Sequence, residues 1–438
     1  MSYLVYNLLL WIVCVLGSPV WLVLVLARRK WRAGILERLG FVPPRIRPDP
    51  SGKPVLWLHA VSVGEVLAAV PLIRLLQSSF QLYVSTTTLT GQALARQRFG
   101  ADRVFYFPLD LSFAVQRYLS HLHPKLVVML ETEFWPNFLR SAHAHAKVAV
   151  VNARISDRSL PGYRRYKSLL PEVLSNVDLF LAQSDEDARR LVVIGARSSL
   201  VRTSGNMKFD WTPPAETPAI VQQLKQAIHS QQRFPVIIAG STVAGEDSLV
   251  IAAFQSVLAE HPHAFLILAP RHPERFDAVA DELTSSGLAH ARRSQTDPRD
   301  TNVPILLLDS IGELAAVYEL ADIAFVGGSL VPRGGHNILE PAYFAKPITV
   351  GTYTENFRDI VREFRANNAV LKCPSTALVA TWLRLASDSA ERVALGNRAR
   401  DVVSANTGAT QRTADALIAL AQAATASAAS SNTGVTSI

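Results

Sequence analysis

The stretch VLWLHAVSVGE, residues 55–65, decides the fold. Its first six residues form a short apolar run typical of a buried strand, and Ser62-Val63-Gly64-Glu65 leads directly into a helical pattern that continues to Leu76. A buried strand followed at once by a helix is the first half of a βαβ unit, the building block of parallel sheets. The stretch therefore predicts an α/β protein.

The same alternation of strand and helix repeats along most of the chain, in two series. The first series has candidate strands at 55–60, 82–88, 104–109, 126–132, 148–153, 179–184 and 200–205, and the second at 235–241, 265–271, 305–310, 323–329, 347–352 and 369–373. Trp211-Thr212-Pro213-Pro214 separates them. Two Rossmann-like domains facing a ligand cleft are therefore predicted, at 33–212 and 213–425. The Ala/Ser/Thr/Gly-rich tail, 426–438, is predicted to be disordered.

The N-terminal segment, 1–32, predicts a membrane anchor. Residues 3–27 carry no charge, and a helix of that length is about 37 Å long, enough to cross a ~30 Å hydrocarbon core. The basic cluster Arg28-Arg29-Lys30-Trp31-Arg32 follows, which by the positive-inside rule keeps the downstream chain in the cytoplasm. Gly17-Ser18-Pro19 interrupts the apolar run, so a helix lying in the membrane interface competes with a full span.

Composition narrows the function classes. The 438 residues are 49% apolar and 18% charged, which excludes a disordered chain, and 35 Arg and 9 Lys give a net charge of +8. This excess favours phosphate-rich or anionic-membrane partners. The two cysteines, Cys14 and Cys373, suggest a reducing compartment without a disulfide or zinc framework. The P-loop, nucleophile-elbow and HExxH motifs are absent from the sequence.

Charged residues that follow strands of the first domain are the candidate catalytic groups. Glu65 opens a helix on the crevice side of the sheet, where a general base belongs, although a first-turn carboxylate also stabilises a helix dipole. Glu131 and Glu133 end the fourth strand and face opposite ways, so one is expected to be functional and the other to cap the next helix. Lys208 could neutralise a departing phosphate or a substrate carboxylate, with a solvated surface lysine as the alternative.

Glycine-rich and charged loops that follow strands of the second domain are candidate ligand sites. Small residues let backbone N–H groups approach a phosphate, which predicts a donor loop made of Gly240, Ser241, Gly328, Ser329, Gly335 and His336. Arg271 could clamp a phosphate bidentately, and Asn337 and Glu340 share one helix face, able to hold the two hydroxyls of a ribose. The closely spaced histidines have no cysteine or carboxylate framework, so no metal site is predicted.

Six segments in this order resemble the 3-deoxy-D-manno-oct-2-ulosonic acid (Kdo) transferases of Gram-negative lipopolysaccharide synthesis. They are HAVSVGE at 59–65, ETEFWPN at 131–137, NAR at 152–154, GNMKFD at 205–210, PRHPERF at 270–276 and the glycine-rich stretch 327–340. The likeness runs from the anchor to about residue 405. Ile311 stands where Met is common in the family, and Phe134 where Leu is common; both are apolar exchanges.

The resemblance implies an inverting glycosyltransferase of the GT-B type at the inner membrane, facing the cytoplasm. It would move Kdo from CMP-Kdo to a lipid A precursor, lipid IVA, and release CMP. Glu65 would be the base that deprotonates the acceptor hydroxyl, and Glu131 and Lys208 would stabilise the transition state. The implied CMP-binding residues are Pro270, Arg271, Ile311, Gly312, Glu313, Asn337, Ile338, Leu339 and Glu340.

Three other functions fit parts of the pattern. A membrane-associated GT-B transferase could use a UDP-sugar donor, but the pairing of SVGE with ETEFWP argues against it. A catalytically idle nucleotide-binding scaffold would not need the three charged groups of the first domain, and an epimerase would have little use for the anchor. The expected partners are CMP-Kdo, the lipid A precursor and anionic membrane lipids, with no metal cofactor, nucleic acid or protein partner.

Overall fold

Two parallel seven-stranded sheets carry the fold in the computed structural model, which describes residues 3–27, 32–47, 52–157, 159–166, 168–213, 217–297, 299 and 302–432. The chain divides into two compact units, each built around one sheet. The first comprises Met1–Asp210 and Thr407–Ile438, and the second Trp211–Asn406. The predicted α/β class with two Rossmann-like domains is confirmed.

The first unit alternates strands and helices after the N-terminal segment. Its elements are α1 (Tyr3–Ala27), α2 (Ile35–Arg38), β1 (Val55–His59), α3 (Val63–Leu76), β2 (Gln81–Thr86), α4 (Leu89–Phe99), β3 (Val104–Tyr106), α5 (Ser112–Leu122), β4 (Leu126–Leu130), α6 (Pro136–His143), β5 (Lys147–Ala153), α7 (Leu160–Arg165), α8 (Leu170–Leu174), β6 (Leu179–Ala182), α9 (Asp185–Val193) and β7 (Val201–Thr203). A short 3₁₀ turn, Met207–Asp210, ends this part of the chain.

The strand order of the first sheet is β3-β2-β1-β4-β5-β6-β7. The sequence order reverses between β1 and β4, which pair directly with Leu56 opposite Leu126. β4 is apolar at every position because helices cover both faces of a parallel sheet, and all five of its residues are buried. This reversal opens a crevice at the carboxyl ends of β1 and β4, the usual ligand position in such a sheet.

The second unit repeats this design. Its elements are α10 (Ala219–Ser230), β8 (Val236–Thr242), α11 (Asp247–Glu260), β9 (Phe265–Pro270), α12 (Phe276–Ser285), β10 (His290–Arg292), β11 (Ile305–Leu307), α13 (Leu314–Val317), β12 (Ile323–Val326), α14 (Leu339–Tyr343), β13 (Ile348–Val350), α15 (Arg358–Ala366), β14 (Leu371–Lys372), α16 (Leu378–Ser387) and α17 (Ser389–Asn406). The sheet order is β10-β11-β9-β8-β12-β13-β14, with the reversal between β8 and β12. The sequence did not predict β10, a three-residue edge strand.

The C-terminal segment differs from its prediction. The second domain was expected to extend to residue 425, but the chain returns to the first unit at Thr407 as helix α18 (Ala409–Asn432). Residues 426–432, predicted to be disordered, continue this helix, and 433–438 lie outside the described residues. The helix belongs to the first unit because Ala409, Ala414 and Leu417 are fully buried in the apolar cluster that also contains Leu56 and Leu72.

The N-terminal segment forms the single long helix α1, with Pro19 inside it. Residues 3–23 are long and apolar enough to cross a membrane by length and composition, the one such helix found in the described part of the chain. Arg28, Arg29, Lys30 and Trp31 of the basic cluster lie outside the described residues. The predicted helical anchor is therefore present as a helix, with its apolar side chains exposed.

Candidate functional site

Glu65 lies at the crevice of the first sheet, in the first turn of α3. Its carboxylate turns back onto the loop that follows β1: Oε2 accepts from the backbone N–H of Val61 at 2.7 Å, and Oε1 accepts from the Ser62 hydroxyl at 3.0 Å. The residue is only 9% exposed. Burial, followed by the negative charge of Glu131, raises the pKa of Glu65 to about 7, against the two hydrogen bonds that lower it. Glu65 is thus a carboxylate that exchanges its proton near neutral pH.

Glu131 and Lys208 form an ion pair beside Glu65. Lys208 Nζ lies 3.0 Å from Glu131 Oε1, and each side chain is 27% exposed, so the pair is held but open to solvent on one side. Glu131 itself has a left-handed backbone, with φ of 56°. Such a conformation costs energy in a residue with a side chain and is concentrated at functional sites.

Glu133 does not cap the helix that follows β4. Its Oε2 accepts from the indole N–H of Trp135 at 2.8 Å. The cap of α6 comes from Asp110 instead, whose carboxylate accepts from the backbone N–H groups of Asn137 at 3.1 Å and Phe138 at 2.7 Å. The expectation that one glutamate of the pair would cap this helix is wrong, because a more distant carboxylate already occupies the helix N-terminus.

The turn that carries Lys208 is held from two sides, by residues to which the sequence analysis gave no such role. Asn152, at the end of β5 with φ of 53°, accepts from the backbone N–H of Met207 at 3.1 Å. Asp210 accepts from the backbone N–H groups of Gly408 and Thr410, both at 2.5 Å, and so caps α18. The C-terminal helix therefore fixes the end of the Lys208 turn.

A buried glutamate, Glu246, organises the glycine-rich loop of the second unit. Its residue is fully buried, and its carboxylate accepts four backbone N–H groups: Gly328 at 2.6 Å, Ser329 at 2.8 Å, Leu330 at 2.7 Å and Val243 at 3.1 Å. These donors form an anion-binding nest that the protein fills itself. The sequence placed Glu246 after a Gly-Ser strand end, but nothing in the pattern marked it as an internal anion.

This arrangement changes the predicted donor loop. The N–H groups of Gly328 and Ser329 bind Glu246, and the N–H of Gly335 donates to Gly328 O at 2.7 Å, so none of the three is available to a phosphate. Packing explains why residue 240 is glycine, because a Cβ there would lie 2.0 Å from the Tyr318 hydroxyl. Ser241, with φ of 57°, is nearly buried where β8 ends. Three N–H groups of the predicted donor loop, those of Gly328, Ser329 and Gly335, therefore bind within the protein.

Polar side chains gather where β9 and β12 end. Asn337 Nδ2 donates to Glu340 Oε1 at 3.1 Å, as the shared helix face predicted. Burial raises the pKa of Glu340, while the Asn337 amide and then the charge of Arg271 lower it. Burial and the charges of Arg271 and His272 lower the pKa of His336 to about 4. Among the described residues, none hydrogen-bonds the buried His336 Nε2, which leaves a neutral imidazole nitrogen for a ligand.

The other predicted nucleotide-binding residues flank this group. Pro270 is the buried end of β9, and Ile338 and Leu339 are buried at the start of α14. Ile311 is 69% exposed and Gly312 has φ of 91°, in the loop after β11. Glu313 bonds back to this loop through the Ser310 hydroxyl and pairs with Arg293 at 3.2 Å. β9 and β11 are adjacent, so their loops meet at one edge of the sheet.

No group of three or more His, Cys, Asp or Glu side chains in the described ranges is placed to hold a metal ion. The first unit offers acid–base and electrostatic chemistry, with a carboxylate whose pKa is about 7 and the Glu131–Lys208 ion pair. The second unit separately offers the polar cluster around Asn337 and Glu340.

Two Rossmann-like units of this kind define the GT-B class. A UDP-GlcNAc 2-epimerase from Neisseria meningitidis, solved with UDP-GlcNAc bound, shares the fold with a TM-score of 0.55 and 13% identity, over 83% of this chain and 99% of its own. The C-terminal CMP-Kdo binding domain of WaaA from Acinetobacter baumannii is 35% identical over 42% of this chain and 98% of that domain, with a TM-score of 0.40.

Sequence comparison identifies the family. The family model described as 3-Deoxy-D-manno-octulosonic-acid transferase (kdotransferase) matches residues 33–211. The 3-deoxy-D-manno-octulosonic acid transferase of Haemophilus influenzae is 38% identical over 89% of this chain and 91% of its own length, and that of Bordetella pertussis is 37% identical over 89% and 94%. The chain belongs to the 3-deoxy-D-manno-octulosonic acid transferase family and is a glycosyltransferase, which confirms the resemblance carried by its motifs.

Proposed function

We propose that this enzyme transfers Kdo from CMP-Kdo to a lipid A precursor with inversion, using Glu65 as the general base. The observation that carries the proposal is the buried Glu65 carboxylate, whose pKa of about 7 lies near the operating pH of a cytoplasmic enzyme. A base with such a pKa is about half ionised at pH 7, and once ionised it still binds the proton that it removes. Inversion requires this base on the face opposite the leaving phosphate, where it activates the acceptor hydroxyl.

Lys208 and Glu131 are proposed to act on charge that moves during transfer. The sugar leaves through an oxocarbenium-like state beside its own carboxylate, so a cation nearby stabilises the carboxylate or the departing phosphate. Lys208 carries that cation, and its ion pair with Glu131 at 3.0 Å fixes where it lies. Asn152 and Asp210 hold the turn and thus limit the motion of the ammonium group.

The second unit is proposed to bind the CMP moiety. Arg271 offers a guanidinium to the phosphate, and the Asn337–Glu340 pair offers an amide and a carboxylate to the ribose hydroxyls. The unpartnered His336 Nε2 supplies a further polar contact. Glu246 occupies the backbone N–H groups of Gly328 and Ser329. We therefore propose that side chains, rather than these backbone N–H groups, bind the phosphate of the donor.

We place the enzyme at the cytoplasmic face of the inner membrane. The exposed apolar helix α1 supports a membrane location, and the Arg-rich composition suits anionic lipids and a phosphorylated acceptor, at about 1 kcal/mol per basic residue near the surface. The basic residues that follow α1 in the sequence favour the cytoplasmic side.

Mass spectrometry of the reaction products tests the proposal. Purified enzyme is given CMP-Kdo and a tetraacylated lipid A precursor, beside Glu65→Gln, the exposed control Glu260→Gln and a reaction with a UDP-sugar. Kdo-sized mass gains that persist in the control and fall at least 100-fold in Glu65→Gln are expected, and their number gives the sugars added. Undiminished transfer by Glu65→Gln would assign the base elsewhere, and transfer from the UDP-sugar alone would favour the other donor.

A further inference from the structure

The first turns of α1 are hydrogen-bonded to the first unit. Tyr3 is only 6% exposed, and its hydroxyl donates to Pro136 O at 3.2 Å. The Tyr6 hydroxyl donates to Asp110 Oδ2 at 2.7 Å, and the side chains of Asn7 and Asn137 exchange hydrogen bonds of 3.1 and 2.7 Å. The amino end of α1 thus lies on the same side of any membrane as the catalytic fold.

The remainder of α1 exposes apolar side chains on every face. The exposed residues are Leu8, Leu9, Trp11, Ile12, Val13, Val15, Leu16, Val20, Trp21, Leu22, Val23 and Leu26. Consecutive positions such as Leu8 and Leu9, or Leu22 and Val23, point to different sides of a helix, so this one has no polar face. A helix that is apolar all round is stable when hydrocarbon surrounds it. Its partner is therefore the acyl region of a lipid layer.

The carboxyl end of α1 is also tied to the first unit. Ala27 and Arg32 are five residues apart in the chain, a stretch that spans at most about 18 Å, less than the ~30 Å of a hydrocarbon core. Six residues after Arg32, Arg38 is fixed in the unit: its guanidinium donates to Thr87 O at 2.5 Å, and its carbonyl accepts from Leu109 N at 2.8 Å.

The charges of the connecting sequence exclude a return through the hydrocarbon. Residues 28–32 contain four basic side chains, and placing such charges in hydrocarbon is costly.

From these two attachments we infer that α1 does not span the bilayer but lies within the single leaflet that faces the catalytic units, with both ends at that surface. The bound partner is the acyl layer of one leaflet. The inference rests on the membrane location proposed above and not on the choice of donor, acceptor or base.

This arrangement connects the membrane to the candidate site. Asp110 accepts a hydrogen bond from the Tyr6 hydroxyl and also caps α6. Helix α6 begins directly after the loop 131–135, which carries Glu131. Helix α1 and the N-terminus of α6 thus share one buried carboxylate.

Crosslinking in native membranes tests the docking of α1. The full-length enzyme is given the background substitutions Cys14→Ala and Cys373→Ala, and then Asn7→Cys with Asn137→Cys, whose native side chains touch. A short bifunctional thiol reagent is expected to join the pair equally well in membranes and in detergent, with the protein still membrane-bound. Each single-cysteine variant is the control. Joining in detergent but not in membranes would overturn the inference, because α1 would then leave the fold when lipid is present.

One-sided labelling tests the same topology independently. Leu4→Cys and the control Leu36→Cys, both at exposed positions, are treated with a membrane-impermeant maleimide in spheroplasts and in inverted vesicles. Both are expected to react only in inverted vesicles. Reaction of Leu4→Cys in spheroplasts would show that α1 spans the bilayer and would overturn the inference. If lipid shields Leu4→Cys from the reagent in both preparations, the crosslinking result decides between the two topologies. Transfer from CMP-Kdo is measured beside these readouts, so a wrong assignment of substrate leaves the topology result intact.

Discussion

Replacing Glu131 by Gln is predicted to move the acidic limb of the pH–rate profile toward lower pH. Wild-type Glu65 has a pKa of about 7, so the base is half ionised at pH 7, about one-eleventh ionised at pH 6 and about ten-elevenths ionised at pH 8. The rate governed by this base should therefore rise about fivefold from pH 6 to 7 and less than twofold from pH 7 to 8.

The direction of the shift follows from the causes of the raised pKa. The negative charge of Glu131 is the largest contribution after burial, and the Glu131→Gln substitution would remove that charge while keeping the size of the side chain. Glu65 then ionises at lower pH, and the rate ratio between pH 7 and pH 6 falls below fivefold. The maximal rate also falls, since Lys208 loses its ion-pair partner.

The assay is kcat/KM for Kdo transfer between pH 5.5 and 8.5, with wild type, Glu131→Gln and Glu260→Gln as the exposed control. The phosphates of the acceptor titrate in this range as well, but equally for every variant, so the difference between profiles belongs to the enzyme. A profile of Glu131→Gln that superimposes on the wild-type profile after scaling would refute the assignment of Glu65 as the titrating base.

Three further predictions concern residues of the same two sites. Glu65→Gln should stabilise the first unit at pH 8 by up to about 3 kcal/mol and have little effect at pH 4, because an unfolded glutamate loses its proton near pH 4.5 whereas folded Glu65 keeps it to about pH 7. Denaturant unfolding at both pH values measures the change in the free energy of unfolding, and an equal gain at both would contradict the prediction. Glu246→Gln should destabilise the second unit by about 2–6 kcal/mol, because two of the four N–H donors then face an amide N–H₂ group. The melting temperature measures this effect, and a value equal to that of the control Glu260→Gln would show that the four N–H groups tolerate an amide. Lys208→Met should lower the transfer rate by on the order of 100-fold and leave the affinity for CMP, measured by calorimetry, unchanged. Lys225→Met, at an exposed position, is the control, and a parallel loss of CMP affinity in Lys208→Met would assign Lys208 to donor binding.

The parallel sheets could be predicted because most of their strands are nearly continuous apolar runs in the sequence. Runs such as Val55–His59 and Leu126–Leu130 are apolar at nearly every position, and glycine, serine or acidic residues mark where they end. The same punctuation indicated Glu65, Glu131 and Lys208, because residues that follow parallel strands gather at one edge. β10 escaped prediction because His290–Arg292 is short and polar, as edge strands commonly are.

Contacts between distant segments could not be predicted in the same way. Glu246 is recognisable only once the loop at 328–330 lies against it, 82 to 84 residues further along the chain. The Ala/Ser-rich composition of 426–438 predicts disorder, and the strand pattern assigns 213–425 to the second domain, yet Ala409, Ala414 and Leu417 are buried in an apolar cluster of the first unit. Small side chains suit close packing as well as disorder, and composition alone does not separate the two.

Asp210 makes the first unit, in effect, a domain interrupted by an insertion. Its carboxylate binds the N–H groups of Gly408 and Thr410, so the point where the chain leaves the first unit and the point where it returns are neighbours in space. A peptide of one or two residues joining Asp210 to Gly408 should therefore replace the whole of 211–407, leaving a shortened protein that retains helix α1 and the proposed base. Such a miniature would test whether the first unit folds and binds membranes without the second.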